Sequence, residues 1–342
     1  MAGDEKILTL VGRAPAAQRR PLILLAAVHD LLLAGTDDPL AAHYQTVAGW
    51  REERHGPATG DPYAAFARFC GRHADQLAEM LTTRSTQTNE VGRCAGLVPA
   101  LSEVATRAGE PLSVLDLGSA AGLHLLFDRY AYTYHRTTER GDVVRAGDDG
   151  SPVLLEIEVR HGDAPVGAMP PVVHRSGLDR SPVDVEDPER ARWLLACQWP
   201  DHPERFFRAA RAIEVAQAIA DRPRVRAGDM IDDLAATAAD LPASGRLCIT
   251  HTWVAAYLSE TDQRRLDAAI TELAQDRPVS WLYAEQPYEV PGLEVPSAPS
   301  GHADGAATAV VLVELDGSRR RAERLADMHP HGRWVRWWAV SA

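Results

Sequence analysis

The chain has 342 residues, 45% of them hydrophobic and 25% charged, with a formal net charge of -12 at neutral pH. That length and balance describe an ordinary folded protein of one large or two usual-sized domains and exclude a disordered or low-complexity chain. The acidic charge argues against a nucleic-acid partner or an anionic membrane surface.

The first twenty residues, "MAGDEKILTLVGRAPAAQRR", carry no apolar core followed by a small-residue cleavage site, so a cytoplasmic protein is expected. "PLILLAAVHDLLLAG" is the most apolar run, but His29 and Asp30 interrupt it and it is too short to span a bilayer. It reads as a core helix. Helical apolar stripes continue over Arg20 to Ala34, Leu40 to Trp50, Pro62 to Thr82 and Asn89 to Ala108, with Asp61-Pro62 as a helix start. A helical N-terminal domain over residues 1–109 follows. The box "TRSTQTNEVGR" stands at the head of the last of these helices, whose Val91, Cys94, Val98 and Leu101 form a buried stripe. It has two readings: Thr88 or Asn89 caps the helix, or Gln87, Asn89 and Arg93 hold a substrate as part of a lid.

From Pro111 strands alternate with helices, the pattern of a parallel sheet covered by helices, so residues 110–342 form a second, α/β domain. Strands are expected at Ser113 to Leu117, Val172 to Leu178, Val225 to Ala227, Arg246 to His251 and Val279 to Glu285. Helices are expected at Pro188 to Cys197, Pro203 to Ile219 and Glu260 to Asp276. Ala307 to Leu315 and Arg333 to Val340 are strand-like and joined by "DGSRRRAERLADMHPHG", a terminal antiparallel pair with a solvated arginine tip. "GDVVRAGDDGSPVLLEIEVRHG", residues 141–162, reads as an inserted β-hairpin turning at Asp148-Asp149-Gly150-Ser151.

The segment "VLDLGSAAGLHLLFDRY" begins as a buried strand, passes through small residues and continues with Leu123, Leu126, Phe127 and Tyr130 at helical spacing. In such a strand-turn-helix unit the turn's N–H groups face a ligand. The order Asp116, Gly118, Ala120, Gly122 differs from the G-x-G-x-x-G dinucleotide fingerprint, and an acid beside the loop suits a ligand bearing an ammonium and a sulfonium. It resembles the D-x-G-x-G-x-G loop of class I S-adenosylmethionine (SAM) methyltransferases, with Ala120 at the middle glycine. A bare Rossmann-type turn without ligand and a nucleotide site are the alternatives. The resemblance implies a Rossmann-like class I methyltransferase fold in which Asp179 of "GLDR" meets the ribose and Asp229 of "AGDM" the adenine. The patterns "TRSTQTNE", "DLGSAAGL", "ARWLLACQWPD" and "HTWVAAYL" also resemble an actinobacterial family, domain of unknown function 2332, from about residue 20 to the C-terminus.

His251, Trp253 and Tyr257 follow the fourth parallel strand and Glu285 the fifth, where strand ends meet the ligand crevice of open sheets. His251 and Glu285 are candidate bases, Trp253 a face for the sulfonium, and Tyr257 a substrate contact, against a reading of His251 as a satisfied core histidine. Cys70, Cys94, Cys197 and Cys248 show no C-x-x-C pair, and His329 and His331 lack further ligands, so no metal is expected. The reading in sum is a SAM-dependent methyltransferase acting on a small-molecule acceptor. A SAM-using lyase or cyclase and a non-catalytic SAM-binding module are the alternatives.

Overall fold

The computed structural model describes residues 4–50, 58–137, 141–299 and 306–339, and divides into two compact units, each made of two chain segments. The helical unit is Met1–Asn89 with Val183–Gln217, and the sheet unit is Glu90–Pro182 with Ala218–Ala342. The expected division lay at 109/110. Instead the helix Cys94–Ala108 belongs to the sheet unit, while Pro188–Ala196 and Pro203–Gln217 belong to the helical one. Among the described residues no helix is long and apolar enough to cross a membrane.

In the helical unit, the apolar helix Pro21–Leu33 is buried along ten of its residues and packs on Pro188–Ala196. Its polar interruption is absorbed locally: His29 Nδ1 donates to the Ala196 carbonyl at 3.1 Å, Thr46 Oγ1 donates to Nε2 at 2.8 Å, and Asp30 pairs with Arg192 at 2.9 Å. Burial pushes the His29 pKa down to about 4, so the ring is neutral. Asp61 accepts from the Tyr63 N–H with Pro62 in the first turn, as expected for that start. The expected helix from 62 to 82 is two helices, Pro62–Arg72 and Ala74–Thr83, because His73 leaves the helical region at φ -110°, ψ 24°. Glu5–Val11, which the sequence reading passed over, is a further helix, capped by Asp4.

In the sheet unit eleven strands of the described residues form one mixed sheet. They are β1 (Leu112–Leu117), β2 (Ala131–Arg136), β3 (Val143–Gly147), β4 (Leu154–His161), β5 (Val172–Asp179), β6 (Arg224–Ala227), β7 (Arg246–Thr252), β8 (Val279–Glu285), β9 (Thr308–Asp316), β10 (Arg319–Met328) and β11 (Trp334–Trp337). The order across the sheet is β3-β2-β4-β11-β10-β9-β8-β7-β1-β5-β6. The run from β8 to β6 is parallel throughout, and the chain builds it outward from β1, first through β5 and β6, then through β7 and β8 on the other side. The order therefore reverses between β1 and β7. One face buries Leu115, Leu117, Leu247, Ile249, Trp281, Tyr283, Val311 and Val313 in a continuous core. Each large apolar side chain so buried contributes about 1.5–3 kcal/mol.

Three expectations are corrected. The segment after the small-residue loop is a 3₁₀ helix, Leu123–Arg129, with Leu126 outside helical geometry. Side chains take the carbonyls that an α-helix would use: Tyr130 Oη donates to Leu123 O at 2.7 Å, Tyr132 Oη to Phe127 O at 2.6 Å, and Arg175 to Leu125 O at 2.9 Å. The expected hairpin at 141–162 supplies two strands that never pair. β2 lies between them, antiparallel to β3 and parallel to β4. The segment read as joining the last two strands contains β10, paired antiparallel with β9 and with β11. Three of its four arginines pair with carboxylates within the sheet unit: Arg320 with Asp267 and Glu294, Arg321 with Glu323, and Arg324 with Asp327. The end of the last expected strand, Val340, lies outside the described residues.

Candidate functional site

In open α/β sheets ligands bind beyond the carboxyl ends of the strands where the order reverses, which here means beyond β1 and β7. The turn after β1 holds three left-handed residues, Gly118 at φ 69°, Ala120 at φ 51° and Gly122 at φ 71°. For Ala120 that conformation costs free energy, of the order of 1 kcal/mol, because of its Cβ. The turn is held from the end of β5. Gly118 N donates to Leu178 O at 2.8 Å, and Ala120 N donates to Asp179 Oδ2 at 2.8 Å, while Asp179 Oδ1 accepts from Ser181 N. Gly122 N donates to Ser119 O at 2.7 Å. These N–H groups are therefore engaged within the protein, and Asp179, half-buried, ties the turn to β5.

Asp116 points to the sheet face opposite the apolar core and is 2% exposed. Its carboxylate accepts from Thr250 Oγ1 at 2.8 Å and from Ser119 Oγ at 3.0 Å. Burial raises its pKa, against the pull of His124, Thr250 and Ser119. His124 is buried beside it, and burial lowers its pKa more than the Asp116 charge raises it. Its Nε2 lies 2.9 Å from the Glu90 carbonyl, which can only accept, so Nε2 carries the hydrogen. Sequence reasoning passed over His124, although its place eight residues after Asp116 was visible.

The cap of the polar box is neither Thr88 nor Asn89. Glu90 is the cap of the 3₁₀ turn Val91–Arg93, its Oε1 accepting from Gly92 N at 3.0 Å, and its Oε2 lies 3.4 Å from His331 Nδ1. Arg93 is 6% exposed and donates to Thr252 O at 3.2 Å, Thr252 Oγ1 at 3.3 Å and Pro330 O at 3.3 Å. It acts as a strut between the end of β7 and the His329–Gly332 turn. Gln87 and Asn89 belong to the helical unit, Gln87 half-buried with its N–H on the Cys197 sulfur and Asn89 buried. His329 and His331 form a turn, and no group able to hold a metal occurs among the described residues. All four cysteines are buried free thiols.

The two candidate bases meet. His251 Nδ1 donates to Glu285 Oε1 at 2.8 Å, and the same oxygen accepts from Val254 N at 3.0 Å and Ala255 N at 3.1 Å. Both side chains are buried, at 0% and 1% exposure, with His251 stacked on Tyr283 at 5.2 Å. His251 Nε2 and Glu285 Oε2 have no hydrogen-bond partner among the described residues. Neither group opens toward solvent, so the pair orders the chain after β7. That chain starts with Trp253, a second non-glycine residue in left-handed geometry at φ 54°. Its indole N–H donates to Thr308 Oγ1 at 2.9 Å, and the Arg93 guanidinium lies 5.4 Å from its ring centre. The cation on this ring is thus Arg93. Asp229, after β6, accepts from Ile231 N at 2.8 Å and pairs with Arg180 at 2.6 Å. Burial opposes its charge, but those donors hold its carboxyl below the usual range. Tyr257 is exposed.

The chain belongs to the family described as "Uncharacterized protein conserved in bacteria (DUF2332)", which matches residues 1–337. No curated protein matches it, and no solved structure does.

Proposed function

We propose that the sheet unit is a Rossmann-like SAM-binding domain of class I methyltransferase type, and that the protein transfers a methyl group to a small-molecule acceptor. The observation that carries this reading is the left-handed turn Gly118–Gly122 standing where the order of five parallel strands reverses, with an acid from the next strand, Asp179, holding it. The residues fit the cofactor in part. Small side chains at 118, 120 and 122 and the half-buried Asp179 suit a ligand that lies along the turn, with Asp229 beside it at the end of β6. Asp116 does not fit a ligand ammonium, because it is 2% exposed, unlike the half-buried Asp179 and Asp229, and is held by Thr250 and Ser119; its part is to hold the turn.

SAM, when bound, supplies an electrophilic methyl group on sulfur. What remains for the protein is alignment of the acceptor and exclusion of water. Trp253, fixed by Thr308 and Arg93, and the exposed Tyr257 present aromatic surface at the end of β7 for that purpose. His251 and Glu285 act through the backbone they hold. A second reading, a non-catalytic SAM-binding module, is favoured by the burial of that pair, which leaves neither candidate base facing solvent.

The test is thermal stability with SAM, S-adenosylhomocysteine, NAD and ATP, followed by product analysis. A ligand at a hundredfold excess over Kd stabilises the native state by about 2.7 kcal/mol. Stabilisation by NAD or ATP and none by either adenosyl compound overturns the cofactor reading. S-adenosylhomocysteine as product supports methyl transfer, methylthioadenosine supports cleavage instead, and binding without turnover supports the silent module.

A further inference from the structure

Val254 lies directly on the turn that the proposed function assigns to the ligand. A Cβ built on Gly118 would stand 2.4 Å from Val254 Cγ2 and 2.9 Å from its Cβ, so the valine methyl rests against the glycine backbone where a close-lying ligand would approach. Val254 is fixed from three sides. Its own N–H and that of Ala255 donate to Glu285 Oε1, His251 donates to the same oxygen, and Trp253 just before it is held left-handed with its N–H on Ala284 O. Gln263, 1% exposed, ties the following turn by donating to Ala255 O at 3.1 Å and Glu289 O at 3.0 Å.

From this geometry we infer that Val254 is a plug over the Gly118 turn, set in place by Glu285, and that it must withdraw for a ligand to lie along the turn. Glu285 and His251 are then positioning residues for the plug. The strained backbone at Trp253 gives the segment a second arrangement to relax into: a return to negative φ would swing the residue that follows. This inference rests on the reading of the turn as the cofactor site.

The test measures affinity for S-adenosylhomocysteine in the wild type and in Val254→Ala, with the stability of Gly118→Ala measured in the wild-type and Val254→Gly backgrounds. A plug predicts at least tenfold tighter binding to Val254→Ala, since the wild type spends part of the binding free energy on displacing the side chain. It also predicts that the melting-temperature loss caused by Gly118→Ala is at least halved when Val254 is glycine, the remainder being backbone strain. Binding to both proteins with equal affinity, or tighter binding to the wild type, overturns the plug and leaves the cofactor reading standing. Binding to neither overturns the cofactor reading and the plug with it. A Gly118→Ala loss that is the same in both backgrounds overturns the plug whatever the affinities.

Discussion

Replacing Thr250 by valine removes one donor from the Asp116 carboxylate and leaves the shape of the side chain nearly unchanged. Thr250 Oγ1 stands 2.8 Å from Asp116 Oδ1 in a place where Asp116 is 2% and Thr250 4% exposed, so water does not replace the lost bond. A buried hydrogen bond to a charged group contributes about 1.5–3 kcal/mol. For a unit of about 220 residues each kcal/mol moves Tm by roughly 2–4 °C, so the variant is expected to melt about 3–12 °C lower. The loss also depends on pH with a fixed sign. Burial raises the Asp116 pKa above the ordinary 3.8, so this group's contribution to stability is full below that value and is lost as pH rises through its folded-state value. Without Thr250 the charged form loses a donor and the folded pKa rises further. The penalty of Thr250→Val should therefore grow as pH is raised from below 3.8 through the folded-state value, read by calorimetry of both proteins across a pH series. An unchanged Tm, or a penalty that is flat with pH, refutes the account of Asp116 as a buried carboxylate held by hydroxyls.

His29, lowered to about 4 from an ordinary 6.5, binds fewer protons folded than unfolded, so it contributes stability that is lost as pH falls from about 6.5 through 4. Between pH 7 and 5 the wild type should lose about 2 kcal/mol more than His29→Gln in denaturant titrations, and parallel losses would refute the neutral buried ring. Arg93→Met leaves the carbonyls of Thr252 and Pro330 without their donor and should cost about 3 kcal/mol, visible as a lower urea midpoint. A wild-type midpoint would return Arg93 to the role of a ligand contact.

The parallel strands were legible because a strand buried on both faces is a short, nearly continuous apolar run, and β8 begins and ends where its sequence pattern does. β2 was hidden by its mixed sequence, AYTYHR, whose tyrosines look like the tail of a helical stripe until their hydroxyls are seen to bond Phe127 and Ala95. β10 was hidden by charge: three successive arginines read as a solvated tip, and the carboxylates that neutralise Arg320 and Arg324 come from elsewhere in the chain or along the same strand. The division into units was not legible, since each unit is assembled from separated segments. At the site the positions of His251 and Glu285 were readable from the strand ends. Their direct bond was not, because it depends on the register that sets His251 beside Tyr283 across β7 and β8.

The place of β11 imposes an order on how the sheet can be finished during synthesis. This four-residue strand, Trp334–Trp337, lies between β4 and β10 and is the link that joins β2, β3 and β4 to the other strands. β4 is made some 170 residues earlier, so the nascent chain carries its open edge while every intervening strand is translated. That edge alternates apolar and polar residues, with Leu155, Ile157 and Val159 buried in the finished protein, and it is of the kind that recruits foreign strands. Loss of the last few residues of β11 would thus be felt far beyond its own four residues, as a sheet that cannot close and an edge left available to other chains.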